Sequence, residues 1–256
     1  MKKFKIGLQL YSVCEDMEKD MELTLKKVRE MGYDCVEFAG YFGKSAEEVK
    51  AILDKYGLEA VSEHRDYTEF VKNKKECVEF IETLGLKYSA IPFMDKEKHA
   101  GGKLFCDAVS EISETAEMLK EHGIQMCYHN HDFEFFKYDG KFLMDWLLDT
   151  VSGLWTELDL GWVEIAGINP GECLKKYAGK SKIVHLKDFK PIGEDEKGKK
   201  LYEFTVLGDG VQNFEQILSA AEETGVEYLI VENEAPVASR IEAVKKDREY
   251  LKSLGQ

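Results

Sequence analysis

The chain has 256 residues, 44% of them apolar and 33% charged, enough for one large domain or two small ones around a sizeable core. Its formal net charge of −14 argues against nucleic acid as the main partner, because phosphate binding needs clustered Lys and Arg; a positive pocket within an acidic body stays open. No apolar run approaches the ~18–20 residues of a membrane span.

Met1-Lys2-Lys3 begins like a basic signal segment, but only Phe4–Leu10 follows, and Lys5 interrupts it. No small-residue cleavage site comes after, so the stretch reads as a first strand and the cytoplasm is the expected compartment. Glu18–Met31 places Met21, Leu25, Val28 and Met31 at helical spacing and is stopped by Gly32. Cys35–Ala39 is the second strand. Ser45–Tyr56 is a helix with a capping-box pattern in Ser45 and Glu48, ended by Gly57. Leu58–Val61 is the third strand, and Phe70–Leu84 a helix ending at Gly85. Tyr88–Phe93 is the fourth strand, followed by a helix from about Lys103 to Glu121, closed by Gly123.

Ile124–Tyr128 is the fifth strand and Phe142–Leu148 the next helix. Leu154–Leu158 is the sixth strand; Pro170–Tyr177 is helical, with Pro at a helix start where its missing N–H costs little. Ile183–Leu186 is the seventh strand, followed by a loop carrying the polar insert Gly193–Lys200. Phe214–Glu223 is helical, Tyr228–Val231 is the eighth strand, and Arg240–Leu251 is the closing helix. Eight strand–helix units without a linker imply a parallel sheet with helices outside. In this length they fit a closed (β/α)8 barrel spanning residues 1–256. An open doubly wound sheet competes, but no G-x-G-x-x-G follows any strand; Gly208-Asp209-Gly210 lacks the third Gly. The six cysteines (Cys14, Cys35, Cys77, Cys106, Cys127, Cys173) form no C-x-x-C pair and read as reduced core thiols.

Catalytic residues of such a barrel sit at the C-terminal ends of its strands. Those ends carry Gln9, Glu37, Glu63-His64, His129 and His131 with Glu134 beyond, Asp159 and Trp162, His185 and Lys187-Asp188, and Glu232 with Glu234. Four of the six histidines (His64, His129, His131, His185) fall on this rim; His99 and His122 do not. His129 and His131, spaced i, i+2, share one strand face. Each residue has a plainer role available. A lone His after a strand is more often a hydrogen-bonded rim residue, Glu37 suits structural support, and Trp162 suits packing. Asp188 suits capping or orienting Lys187, Glu234 a solvated rim position, and Glu194-Asp195-Glu196-Lys197 a solvated loop. The conjunction outweighs these. Asp159, His185 and Glu232 come from three successive strands, and mixed carboxylate and imidazole donors suit Mn²⁺, Mg²⁺, Co²⁺ or Zn²⁺. Such an ion polarises a carbonyl and stabilises an enediolate.

Gly7-Leu8-Gln9-Leu10-Tyr11-Ser12, Tyr128-His129-Asn130-His131-Asp132-Phe133-Glu134, Leu158-Asp159-Leu160-Gly161-Trp162, His185-Leu186-Lys187-Asp188, Gly208-Asp209-Gly210 and Val231-Glu232, in this order, resemble the xylose isomerase-like barrels. That superfamily holds sugar isomerases and epimerases, inosose dehydratase and family-2 AP endonucleases. The resemblance covers nearly the whole chain. It implies one divalent metal ion held by a Glu after strand five, an Asp after strand six, a His after strand seven and a Glu after strand eight. The last three look like Asp159, His185 and Glu232. The first departs: His129 stands at its position, and either His129 ligates or Glu134 reaches back. This departure resembles the inosose dehydratase branch, whose reaction is an elimination. Trp162 stands where the AP-endonuclease branch would place a further His, which with the acidic charge sets that branch aside.

The expected activity is that of a metal-dependent isomerase or epimerase acting on a keto-sugar or related polyhydroxy carbonyl compound. The alternative is a metal-dependent lyase or dehydratase, and a non-catalytic sugar-binding barrel is the reading from a different class. His131, Lys187 and Glu232 are the expected catalytic residues. Gln9, His64 and Trp162 are expected to bind substrate, and His129, Glu134, Asp159, His185 and Glu232 to supply metal ligands. The expected partner is a small carbohydrate, with no nucleic acid and no membrane; a homo-oligomer is compatible with the sequence.

Overall fold

Short runs rich in apolar residues alternate with amphipathic segments along the whole chain, and each run becomes a strand covered by the helix that follows it. The computed structural model describes residues 2–196 and 200–256. In chain order the elements are β1 (Lys5–Gln9), α1 (Cys14–Lys19), α2 (Met21–Met31), β2 (Cys35–Phe38), α3 (Ala46–Tyr56), β3 (Glu59–His64), α4 (Tyr67–Leu84), β4 (Tyr88–Ile91) and α5 (Phe105–Glu121). They continue with β5 (Gln125–His129), β6 (Lys137–Tyr138), β7 (Lys141–Phe142), α6 (Leu143–Thr150), β8 (Trp155–Asp159), α7 (Leu160–Ile165), α8 (Pro170–Lys176) and β9 (Ile183–Leu186). The last are β10 (Asp188–Glu194), β11 (Lys200–Thr205), α9 (Phe214–Thr224), β12 (Tyr228–Val231) and α10 (Arg240–Ser253). β1, β2, β3, β4, β5, β8, β9 and β12 close into one parallel barrel, the (β/α)8 architecture that the alternation implies.

Local chemistry sets the boundaries. The Ser45–Glu48 capping box forms with both of its reciprocal bonds at the start of α3. The expected helix over Glu18–Met31 is instead two helices. Asp20 takes an extended conformation between them (φ −158°, ψ 91°), and its carboxylate caps the Leu23 N–H. The segment after β9 is not the expected loop. β10 and β11 pair antiparallel, with a register shift between Pro191 and Gly193. Lys197, within the expected charged loop, and Gly198 and Lys199 of the insert lie outside the described residues, as does Met1.

The base of that hairpin is held by Asp188. Its carboxylate accepts from the backbone N–H groups of Phe189, Gly208, Gly210 and Gln212 at 2.9–3.1 Å. A Cβ at Gly210 would stand 2.1 Å from the Asp188 carboxylate, so bare backbone is required there.

The lower barrel interior is apolar: Cys35, Val61, Tyr88, Ala90, Cys127, Ile183, Tyr228 and Ile230 fill it. Cys35, Cys77, Cys127 and Cys173 are buried as free thiols, whereas Cys106 is exposed on α5, against the expectation of a core position. Among the described residues no helix is long and apolar enough to cross a membrane.

Candidate active site at the C-terminal mouth of the barrel

Alternation along the strands turns the apolar interior into an ionisable one within one pleat. Cys35 is followed on the same face by Glu37, Cys127 by His129, Ile183 by His185 and Ile230 by Glu232; on β8 both Glu157 and Asp159 are buried. β5, β8, β9 and β12 lie in this group of neighbours around the barrel. His129, Asp159, His185 and Glu232 therefore bring ligand-type atoms within 4.8 Å of one another. His64, His129, Glu157 and His185 form a second such group that shares two of the imidazoles.

Below the quartet the polar groups hold each other. His185 lies between Glu37 (Nε2–Oε1 2.8 Å) and Glu232 (Nδ1–Oε2 3.1 Å). His64 Nε2 lies 2.7 Å from Glu157 and 3.1 Å from Glu37. Glu37 also accepts from Gln9 and Ser62. Burial opposes charge on His64, but Glu37 and Glu157 outweigh it and lift its pKa to about 10. His185 is raised by the same two carboxylates against the same burial. Burial also works against the Glu37 carboxylate, which His64 and His185 nevertheless hold well below the usual range. Burial and the nearby Glu37 push Glu157 up to about 8. His129 is held uncharged by burial and by the His185 and His64 cations.

At the mouth, Lys187 is 2% exposed and ion-paired with Asp159 (3.2 Å), Glu232 (3.0 Å) and Glu234 (2.6 Å). Burial opposes its charge, but these three carboxylates raise its pKa, so it does not become the neutral proton donor that burial alone would make it. Its ammonium also lies over the rings of Trp162 (5.3 Å) and Phe204 (4.9 Å), the latter on β11. The hairpin thus contributes to the wall of the site. His131 packs against Trp162 and stacks on Phe133, and burial with the Lys187 charge pushes its pKa down to about 4.

A pocket of about 430 Å³ opens here, lined among others by Tyr11, His64, His129, His131, Lys187 and Glu232. Two of the three expected substrate contacts stand elsewhere. Gln9 is fully buried, its amide engaged with Glu37 and the Tyr11 N–H. Trp162 backs His131 and Lys187 and is not on the pocket wall. Glu134 is also turned away from the quartet. The 3-10 turn Phe133–Phe135 directs its carboxylate to the Tyr128 hydroxyl and the His131 N–H, both at 2.7 Å. Burial lifts its pKa to about 7 despite these two donors. Glu157 was not among the expected site residues. Its signal was the i−2 spacing from Asp159, which puts both carboxylates on one strand face.

The quartet fits a divalent cation by its donor set and by what its atoms lack. Two imidazoles and two carboxylates converge in a buried space. His129 Nδ1 is buried with no hydrogen-bond partner, and Asp159 Oδ2 has only the Lys187 ammonium beside it. Buried donor atoms left in this way are costly unless something charged completes them.

A strand-end ionisable rim on a closed eight-stranded parallel barrel stands where enzymes of this fold carry their active sites. The sequence profile of the xylose isomerase-like TIM barrel matches residues 25–254, and the chain belongs to that family. Among its relatives is a Clostridium botulinum protein named inosose dehydratase, 24% identical across 92% of this chain and 90% of the relative. Among solved structures, a sugar phosphate isomerase/epimerase from Parabacteroides distasonis superposes with a TM-score of 0.81 at 24% identity, covering 99% of this chain and 95% of its own. The IOLI protein, solved with a binding zinc atom, superposes with a TM-score of 0.75 at 19% identity, covering 98% and 97%.

Proposed function

We propose that this chain is a divalent-metal-dependent lyase that removes a β-oxygen substituent, water in the simplest case, from a keto-polyol such as a keto-inositol or keto-sugar. His129, Asp159, His185 and Glu232 would hold the ion, which supplies Lewis-acid polarisation of the substrate carbonyl. The observation that carries the reading is the asymmetry of the proton carriers. An epimerase needs a base on each substrate face, whereas here Glu232 and Glu234 are both tied to Lys187, Glu232 also belongs to the metal quartet, and His131 is left as the free base of the pocket. The similarity to proteins named inosose dehydratase supports the same choice.

In this scheme His131 takes the proton from the carbon next to the carbonyl. The C–H electron pair forms the new double bond as the β carbon–oxygen bond breaks, and His131 returns the proton to the departing oxygen. Lys187 stabilises the negative charge that develops on oxygen, and Glu232 keeps that ammonium in place at 3.0 Å. The hydrogen bond that His185 Nε2 donates to Glu37 would fix the ring and leave Nδ1, on the Glu232 side, for the ion.

Isomerase or epimerase chemistry is the second reading, favoured by the similarity to the Parabacteroides sugar phosphate isomerase/epimerase and by Glu232 and His131 sharing one pocket. Incubating metal-loaded protein with a panel of inososes and keto-sugars in D₂O, with mass spectrometry of the products, separates the two. Loss of water supports the lyase. An isobaric product carrying deuterium on carbon supports the second reading. A protein that holds no metal and turns over no compound of the panel overturns both.

A further inference from the structure

Beside the polar pocket lies a larger cavity of about 870 Å³ that the proposed chemistry does not use. It is built from the segment after β4 and the segment after β5, both on the mouth side of the barrel. Its walls carry four aromatic rings: Phe93, Phe133, Phe136 and Tyr138. Phe93 also lines the polar pocket, so the two spaces adjoin through one side chain. His131 stands at that junction, edge-on to Phe93 at 5.9 Å and stacked on Phe133 at 5.4 Å.

Three of these rings are out of the core: Phe93 is 49% exposed, Phe136 57% and Tyr138 47%. Grouped apolar exposure of this kind is unfavourable for a soluble protein unless something covers it. The wall is also built to one shape. A Cβ at Gly101 would stand 2.3 Å from the Tyr138 ring, so Tyr138 is seated against bare backbone. A keto-polyol alone is polar and is matched by the smaller pocket; its C–H faces can pack on a ring but do not fill a cavity of this size walled by four of them. Phe133 meets Phe93 at 80° and His99 at 74°, an arrangement of ring faces and edges that a flat guest ring extends.

We propose that this cavity receives an aromatic group joined covalently to the polyol part of the substrate, so that the chain acts on aryl-substituted keto-sugars. The proposal rests on the polar pocket taking the carbonyl-bearing polyol, as argued above. It places the bond between sugar and aryl group at the junction beside His131, where a leaving oxygen would depart.

The test uses three unoxidised glycosides as binding probes on the purified, Mn²⁺-loaded protein: methyl, octyl and phenyl β-D-glucopyranoside, titrated by calorimetry. The phenyl compound should bind at least about tenfold more tightly than the methyl compound, and more tightly than the octyl compound. Phe136→Ala should cut the phenyl-to-methyl ratio at least about threefold. Phe136 is mostly exposed, so this variant should fold. Equal phenyl and methyl affinities, an octyl affinity at or above the phenyl one, a ratio unmoved by Phe136→Ala, or no measurable binding of any probe each overturns the aromatic site. The keto forms of the same glycosides are then offered for turnover. A phenyl preference in binding with no turnover sinks the proposed reaction and leaves the cavity. Turnover with no phenyl preference does the reverse.

Discussion

The lower and upper halves of the barrel interior are made by the same strands, yet they obey opposite rules. Cys35, Cys127, Ile183 and Ile230 fill the lower half with apolar volume. Two residues further along, Glu37, His129, His185 and Glu232 fill the upper half with buried ionisable groups. The lower layer is favourable on its own, because apolar surface leaves water. The upper layer is not; buried charges persist only when paired or completed by a ligand. One pleat therefore separates residues that stabilise the fold from residues whose cost is justified by chemistry. Substitutions in the two layers should fail in different ways.

The largest effect belongs to the upper layer. Glu232→Gln removes a carboxylate from the quartet and from Lys187 while keeping the side chain's shape. We expect turnover to fall by about 10³-fold or more and bound metal to drop well below one ion per chain. The unfolding midpoint of the metal-free protein should fall as well, because Lys187 and His185 each lose a buried carboxylate partner. Metal analysis by plasma mass spectrometry and thermal scans check both halves. A variant that keeps full metal and turnover would remove Glu232 from the site.

Lys187→Met comes next. The substitution keeps the packing over Trp162 and Phe204 but deletes the ammonium that Asp159, Glu232 and Glu234 share. Loss of one preorganised cation should reduce turnover by about 10²-fold. Metal content should be kept or raised, since the ammonium and the ion compete for Asp159 and Glu232. Three carboxylates left without their cation should lower the unfolding midpoint in EDTA, and added Mn²⁺ should restore it. Unchanged turnover would restrict Lys187 to a structural part.

Much of this contrast was legible in the sequence, because it is a matter of period. The eight apolar runs, the glycines that stop the helices and the Ser45–Glu48 cap are local signals, and the barrel follows from them. His129, Asp159, His185 and Glu232 were legible as strand-end residues that one rim would gather. Glu157 was legible by the same rule, two residues before Asp159 on one strand face, but a reading of strand ends passes over it because it sits inside the run Leu154–Leu158 and not at its end. The direction of Glu134 depends on a 3-10 turn of three residues, and no side-chain period announces that turn. The hairpin β10–β11 reads as a loop with a polar insert because only Asp188 and Phe189 at its base are buried and the rest of β10 is exposed, so no buried period of two marks it. The large cavity joins two segments from different parts of the chain, and only tertiary structure brings them together.

Gly7→Ala tests the lower layer. Gly7 lies on β1, where an added Cβ would stand 2.5 Å from Ile230 Cδ1 and 2.8 Å from Cys35 Sγ. Overpacking of this kind costs about 1–3 kcal/mol, because the neighbours must leave their rotamers or the strand must shift. Urea unfolding should show the loss, while metal content stays at the wild-type level because no quartet residue touches the new methyl group. A variant that instead lost metal and kept its stability would erase the division between the layers.

The smallest effect lies at the bottom rim, where charges face water instead of each other's confinement. Glu59 on β3 pairs with Lys5 and with Lys87, the latter at 2.7 Å, and the two lysine side chains are about half exposed. Burial opposes the carboxylate's charge, but the bonds from Lys5 and Lys87 outweigh it and hold its pKa below the ordinary 4.5. A carboxylate with a depressed folded-state pKa releases its proton more readily in the folded chain than in the unfolded one. Its contribution is therefore fully present above about pH 4.5 and is lost as the pH falls through the folded value. Solvent screening limits that contribution to about 0.5–1 kcal/mol. Wild type should exceed Glu59→Gln in stability by this amount at pH 7, and the gap should close near pH 3 and shrink in about 1 M salt. Paired urea titrations at the two pH values read it directly, and a gap independent of both pH and salt would show that Glu59 acts there through packing and not through its charge.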